Sequence, residues 1–245
     1  MQKVIMAWSG GKDSAMAFEA LKKDGGFEVV ALLTTVTEVY GRISMHGVRE
    51  ELLESQARAL GIPLDKIYLS QKASDAEYEQ KMRERLLHYR SQNVSAVAFG
   101  DIFLEDLRKY RESNLAKVGM SAVFPLWKKD TARLGRTFID NGFRAIVTCA
   151  DSKSLDRSFA GRVYDCSLLA DLPPSVDPCG ENGEFHSFVY GGPIFHETIP
   201  FERGEVVLRD ERFYFCDLLP IRQTGLPAAK QPGLEKAVAG VQNRI

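Results

Sequence analysis

Ser9-Gly10-Gly11-Lys12-Asp13-Ser14 follows the apolar run Val4-Ile5-Met6-Ala7 with only Trp8 between, and opens a helical pattern in which Ala15, Phe18 and Leu21 share a face. A glycine-rich turn between a strand and a helix aims backbone N–H groups at one point, and the helix N-terminus adds partial positive charge there. Gly10 and Gly11 let the backbone come close to a bound anion. Lys12 adds a full charge, Ser9 and Ser14 add hydroxyl donors, and Asp13 is placed to accept helix amides or to hold a magnesium ion. The loop is not a Walker A sequence, because Asp13 separates Lys12 from Ser14 and Met6 stands where that motif needs its first glycine. The plain alternative is an ordinary strand–turn–helix corner built of small residues.

Working outward, the runs Val29-Val30-Ala31-Leu32-Leu33, Ile67-Tyr68-Leu69, Ala96-Val97-Ala98-Phe99 and Ala145-Ile146-Val147 are continuous rather than alternating, as in strands buried on both faces. Helical stretches lie between them. One puts Val48, Leu52, Leu53, Ala57 and Leu60 on one face and stops at Gly61-Ile62-Pro63; another aligns Tyr78, Met82, Leu86 and Tyr89. This alternation predicts an α/β fold with a parallel sheet and right-handed crossovers. Past Asp151 the pattern breaks at Pro173-Pro174 and Pro178, and Phe185 to Phe215 reads as short strands with turn signals at Gly191-Gly192-Pro193 and Arg203-Gly204. The expected organisation is a nucleotide-binding α/β domain over 1–150, a smaller substrate domain over 151–222, and a loosely held tail over 223–245.

Composition narrows the class. The chain of 245 residues is 44% hydrophobic and 27% charged, enough for a packed core. With 33 acidic against 32 basic residues, bulk charge argues against a nucleic-acid partner. No apolar run approaches the roughly 20 residues of a membrane helix. The N-terminus enters a strand directly, which predicts no signal peptide. Cys149, Cys166, Cys179 and Cys216 form no C-x-x-C pair, which fits a reducing cytoplasm better than a disulfide scaffold, with plain buried thiols expected for all but Cys179. Nothing in the sequence decides between a monomer and a homo-oligomer.

Open α/β sheets bind ligands beyond the carboxyl ends of their strands, where the strand order reverses. If the order is 3-2-1-4-5, the first strand, ending at Ser9, and the fourth, ending at Gly100-Asp101, flank that crevice. Asp101 would then face the phosphate loop and could bind magnesium or ribose; a simple turn aspartate is as good a reading of that residue alone. A polar loop is expected from Thr34 to Gly47, ending in Met45-His46-Gly47 at the same edge, although a lone histidine is more often a surface or cap residue. Arg108-Lys109 and Arg111 could reach phosphate, but a solvated helical face is the default for such a run. Trp127 could stack on adenine, although a core or rim tryptophan is the more common case.

Ser-Gly-Gly-Lys-Asp-Ser resembles the PP-loop of N-type ATP pyrophosphatases, whose shared chemistry is cleavage of ATP between its α and β phosphates. Three blocks resemble the diphthine–ammonia ligase family within that superfamily. They are Met45-His46-Gly47 with Gln56-Ala57 and Ala59-Leu60-Gly61-Ile62-Pro63-Leu64; Gly100-Asp101-Ile102 with Arg108 to Glu112 and Phe124-Pro125-Leu126-Trp127; and Gly180-Glu181-Asn182-Gly183-Glu184-Phe185-His186-Ser187-Phe188-Val189-Tyr190. The likeness runs from about Lys3 to Phe195, and the third block carries most of it. It implies a HUP-like (adenine nucleotide α-hydrolase) sheet with helices on both faces and a smaller C-terminal α/β extension. It implies an AMP-forming carbon–nitrogen ligase that uses ATP and magnesium, with Lys12, Asp13, Glu181 and Glu184 catalytic. Ser9 to Ser14, Gly100 and Asp101 would hold the nucleotide, with Asp13 and Asp101 as candidate metal ligands. His46, Gly47, Glu181, Glu184, Phe185 and His186 would meet the acid and ammonia.

The family's third block reads E-G-G-E-F-E-T. Here Asn182, His186 and Ser187 depart from it, in a form that resembles the bacterial branch, so the expected acceptor is a small or medium acid rather than a modified translation factor. Glu181 and Glu184, three apart around a glycine, could bind magnesium, hold ammonium, or take its proton; an acidic surface turn is the alternative. A sulfur transferase would call for paired cysteines, and a nucleotide sensor without turnover would not call for Lys12 and the acidic pair.

Overall fold

The structure, a computed structural model, describes residues 1–38, 41–43, 47–71 and 73–221. His46 and the expected tail over 223–245 lie outside the described residues. The central strand β1 (Gln2–Ala7) pairs in parallel with β2 (Phe27–Thr37) on one side and β5 (Ala96–Ala98) on the other. Outside these, β4 (Leu64–Leu69) joins β2 and β6 (Ser121–Val123) joins β5, both in parallel. Helices α1 (Lys12–Asp24), α2 (Glu50–Leu60), α3 (Asp75–Ser91) and α4 (Glu105–Ala116) supply the crossovers. Val4, Ile5 and Met6 are wholly buried, which explains why the run is unbroken. Successive side chains point to opposite faces. Val4 and Met6 enter one apolar cluster with Ala15, Phe18 and Leu53; Ile5 enters the other with Leu86, Val97 and Leu115. Helices therefore cover both faces, as an α/β sheet of this kind requires.

The order reverses between β1 and β5, as the sequence predicts, but the strand beyond β5 is Ser121–Val123 and not the run around Ile146. That run is β7 (Arg144–Asp151), and it stands in a second, antiparallel sheet of order β8-β7-β10-β9, with β8 (Phe185–Gly191), β9 (Phe201–Arg209) and β10 (Phe213–Pro220). Residues 144–150, expected with the first part of the chain, thus belong with the later strands. Strand β2 also runs on through Thr34, Thr35 and Thr37, expected in a polar loop. β-Branched threonines suit a strand, and these three are buried. A short antiparallel strand, β3 (Arg42–Ile43), follows on its edge. Gly204 is not a turn residue: it lies inside β9, where a Cβ would come 3.2 Å from Cβ of Asp217. The hairpin instead turns at Asp210-Glu211, both with positive φ, closed by Arg212 N donating to Arg209 O at 2.9 Å.

The second sheet packs on the α1/α2 face of the first. One cluster holds Trp8, Phe18 and Leu53 together with Tyr164, Phe185 and Phe188. Buried Asp217 on β10 fastens the two at the rim, with Arg49 Nη2 at 2.7 Å and Arg42 Nη1 at 2.9 Å. The linking helices α5 (Thr131–Asp140) and α6 (Cys166–Asp171) start at Asp130 and Asp165, whose side chains accept the N-terminal amides of Arg133 and Leu168. Among the described residues no helix is long and apolar enough to cross a membrane.

Candidate active site

The phosphate-type loop is shaped from three directions. Gly10 has φ +75°, and a Cβ there would come 2.7 Å from Oε1 of Gln56, so only glycine fits. Gln56, fully buried on α2, accepts from Trp8 Nε1 at 2.9 Å and donates to Gly10 O at 2.9 Å and Val189 O at 2.6 Å. Val189 N returns a bond to Gly10 O at 2.9 Å. Across the sheet, Gly100 lies so close to α1 that a Cβ would meet Asp13 C at 2.8 Å and Ser14 N at 2.9 Å. Ser14 Oγ donates to Gly11 O at 2.8 Å, Gly11 N donates to Ser9 Oγ at 3.2 Å, and Lys12 N donates to Ser187 Oγ at 3.2 Å. The N-cap of α1, Gly11, has no side chain of its own to cap the helix, although Ser187 takes the Lys12 amide. That is the arrangement that leaves a helix N-terminus to an anion.

In front of the loop lies an open cleft with a largely polar wall. Its wall combines Ser9, Lys12, Asp13 and Ser14 with Asp101 and Arg111 from beyond β5, and with Glu181, Phe185 and His186 from the second sheet's side. Lys12 is buried. Its Nζ donates to both Asp13 oxygens, at 2.8 and 2.9 Å, and to Cys179 O, and it sits over the rings of Phe185 and Tyr164 at 5.5 and 5.9 Å. Burial presses its pKa down, but the Asp13 carboxylate outweighs this and holds the ammonium charged, above its ordinary range. Burial pushes Asp13 up in spite of Lys12.

The acidic loop is folded by its own backbone. Asp177 Oδ1 accepts from Cys179 N at 2.9 Å and Glu181 N at 3.2 Å, while Gly180 and Gly183 take φ +66° and +87°. The loop sends its two glutamates in different directions. Glu181 reaches the cleft, and its Oε1 accepts from Ile102 N at 2.7 Å and Phe103 N at 3.3 Å, the amides just after Asp101. Burial, aided by the negative charges of Asp13 and Asp101, pushes its pKa up to about 7, against the pull of those amides. Glu184 turns inward. Its carboxylate accepts from Asp177 N, Asn182 N and Asn182 Nδ2, each at 3.0 Å, and so shapes the loop instead of lining the cleft.

Of the other sequence-predicted residues, Gly100 and Asp101 are in the cleft, and Gly47 is not. Gly47 has φ +64° and lies against Phe215, where a Cβ would come within 2.9 Å of the ring. Trp127 lies beside Phe124 and under Arg108, away from the cleft. The expectation for Arg111 is reversed: it is buried, with Nε 2.8 Å from Asp101 Oδ2, and is no solvated helical face. Gln56 and Ser187 shape the loop although the sequence predicts no role for either. A glutamine in the middle of an otherwise apolar helix face was the available signal for the first. Cys179 offers no thiolate: its Sγ donates to Thr131 O at 3.4 Å, and burial pushes its pKa up.

A second, apolar pocket adjoins the cleft and shares Ala7, Phe99 and Arg111 with it. Thr34, Tyr78 and Asn114 are among its other walls, and the buried Thr34 Oγ1 has no hydrogen-bond partner among the described residues. A polar cleft at the carboxyl edge of a parallel sheet, fronted by a glycine-rich loop and adjoining an apolar pocket, is the arrangement expected of an α/β protein of the PP-loop class.

Comparison with known proteins agrees. The model of the diphthamide synthase N-terminal domain matches residues 2–122, and that of the diphthamide synthase C-terminal domain matches residues 130–218. A diphthine–ammonia ligase of Danio rerio is 25% identical over 232 residues, covering 85% of this chain and 90% of that protein. One of Homo sapiens is 24% identical, covering 84% and 85%. One of Schizosaccharomyces pombe is 26% identical and covers 84% of this chain, which spans only 37% of that longer protein. The chain belongs to the diphthine–ammonia ligase family, and with it to the ATP-dependent ligases.

Proposed function

We propose that the cleft binds ATP, joins AMP to the carboxylate of an acid with release of pyrophosphate, and lets ammonia displace AMP to give the amide. The carrying observation is that the loop Ser9–Ser14, the Asp101–Arg111 pair and Glu181 share one cleft. The β and γ phosphates would lie on the loop amides and the helix N-terminus, where preorganised donors stabilise the leaving pyrophosphate. Adenine fits the adjoining apolar pocket, where the unpartnered hydroxyl of Thr34 offers it a polar contact. Acyl adenylate formation turns a poor electrophile into one that ammonia attacks. Ammonium must first lose a proton, and Glu181, with a pKa near neutrality, is suited to hold it and take that proton. Glu184 serves by shaping the loop that carries Glu181.

Magnesium fits as an ion that arrives on the nucleotide. Asp13 and Asp101 are already paired with Lys12 and Arg111, and among the described residues no group of three ligating side chains converges. Sites with one or two carboxylates commonly complete the shell with substrate phosphates and water; bound so, the ion would offset charge on the pyrophosphate. The acceptor is read as a small or medium acid, because Asn182 and His186 stand where the family carries glycine and a carboxylate. The four free thiols suit a reducing compartment such as the cytoplasm.

The test is the bond that breaks. Labelled ATP incubated with the protein, magnesium, ammonium and a panel of carboxylic acids should give AMP and pyrophosphate on chromatography. Release of ADP and phosphate would remove the central claim.

A further inference from the structure

Arg111 is buried on α4, where its Nη2 donates to Asp101 Oδ1 at 3.0 Å and its Nε lies 2.8 Å from Asp101 Oδ2 as an ion contact without hydrogen-bond geometry. Its guanidinium lies 4.3 Å from the centroid of the Phe99 ring. Carboxylate and ring together fix the plane of the group, and Nη1 has no hydrogen-bond partner among the described residues. The same side chain walls both the polar cleft and the apolar pocket. A buried ion pair is weak evidence of a role in stability, since apolar replacements of similar volume often serve as well. Its position at the junction calls for another reason.

A nucleotide with its phosphates on the Ser9–Ser14 loop and its base in the apolar pocket has to cross from one chamber to the other along the walls they share, Ala7, Phe99 and Arg111. The part that crosses is the ribose and the α-phosphate. Of the three shared residues only Arg111 carries charge, and a planar guanidinium matches phosphoryl oxygens in geometry as well as sign. We infer that Arg111 binds the α-phosphoryl group and stabilises the charge that develops there as the carboxylate oxygen attacks phosphorus and pyrophosphate leaves. Asp101 acts as the positioning residue that holds the guanidinium against Phe99. This inference rests on the ATP reading above and adds to it the group that meets the reacting phosphorus.

The test compares AMP with adenosine, two ligands that differ only in the α-phosphate, by calorimetry on the full chain. In Arg111→Lys the charge stays and the fork is lost; AMP should bind about 10- to 100-fold more weakly, the size of a charged hydrogen bond, while adenosine should change less than about threefold. Should that variant fold poorly because Asp101 loses its partner, the double variant Asp101→Asn/Arg111→Gln leaves no buried charge unpaired and should show the same split. Equal weakening of AMP and adenosine, or no change in either, would overturn the inference, since packing alone does not distinguish the two ligands. A wild type that binds AMP no better than adenosine would overturn it too, with adenine binding left standing. A wild type that binds neither ligand nor ATP would remove the ATP reading, and this inference with it.

Discussion

Replacing Gln56 by leucine keeps the side chain near its present size and removes every hydrogen bond it makes. Trp8 Nε1 loses its acceptor at 2.9 Å in a residue with no solvent exposure. Val189 O loses a donor at 2.6 Å. Gly10 O also loses one, but keeps Val189 N at 2.9 Å. Two groups are therefore left wanting, and a buried polar group without its partner costs about 1–3 kcal/mol. The expected destabilisation is about 2–6 kcal/mol, a large part of the roughly 5–15 kcal/mol that holds a domain folded. Urea unfolding followed by tryptophan fluorescence should show a lower midpoint with an unchanged slope. Nucleotide affinity should fall as well, because Gln56 holds Gly10 in its left-handed conformation against β8. A loss below about 1 kcal/mol with ATP binding intact would refute the reasoning, because the network would then not be what joins loop, helix and second sheet.

Gly100→Ala should put a methyl 2.8 Å from backbone carbon of Asp13. Overpacking of this kind costs about 1–3 kcal/mol, so thermal melting should shift down, and turnover should fall further because the loop itself must move; unchanged kinetics would mean that strand and loop are not in contact. Glu181 has its carboxyl raised from 4.5 to about 7, so the fold resists its ionisation. If the ionised form takes the proton from ammonium, amide formation should rise with pH through about 7 and Glu181→Gln should abolish that rise. For stability the sign is opposite: this group's contribution is present below 4.5 and is lost as pH rises through about 7. Glu181→Gln should therefore gain stability relative to wild type at pH 8 compared with pH 5, which paired melting curves would check.

The sequence by itself determined what depends on neighbours along the chain. The strand ending at Ala7, the glycine turn and the helix beginning at Lys12 follow from apolar periodicity and from glycine's freedom at Gly10. Strand–helix alternation determined a parallel sheet, and the reversal of its order beside Gly100-Asp101 was one arrangement among those it allows. Glu181 and Phe185 could be assigned to the site because the motif around them is specific. Only the tertiary structure decided which sheet a fully buried strand joins: Ala145-Ile146-Val147 is apolar throughout, and both sheets bury such a run on two faces. It also decided that Glu181 enters the cleft while Glu184, three residues on, turns back to amides of its own loop. That choice is made by Ile102 N and Phe103 N, contributed from across the fold. The burial of Arg111 was illegible for the same reason. A charged residue on a helix reads as solvated until Asp101 and Phe99, brought up by β5, close over it. Burial of a charge is set by partners distant in sequence, and no local pattern encodes them.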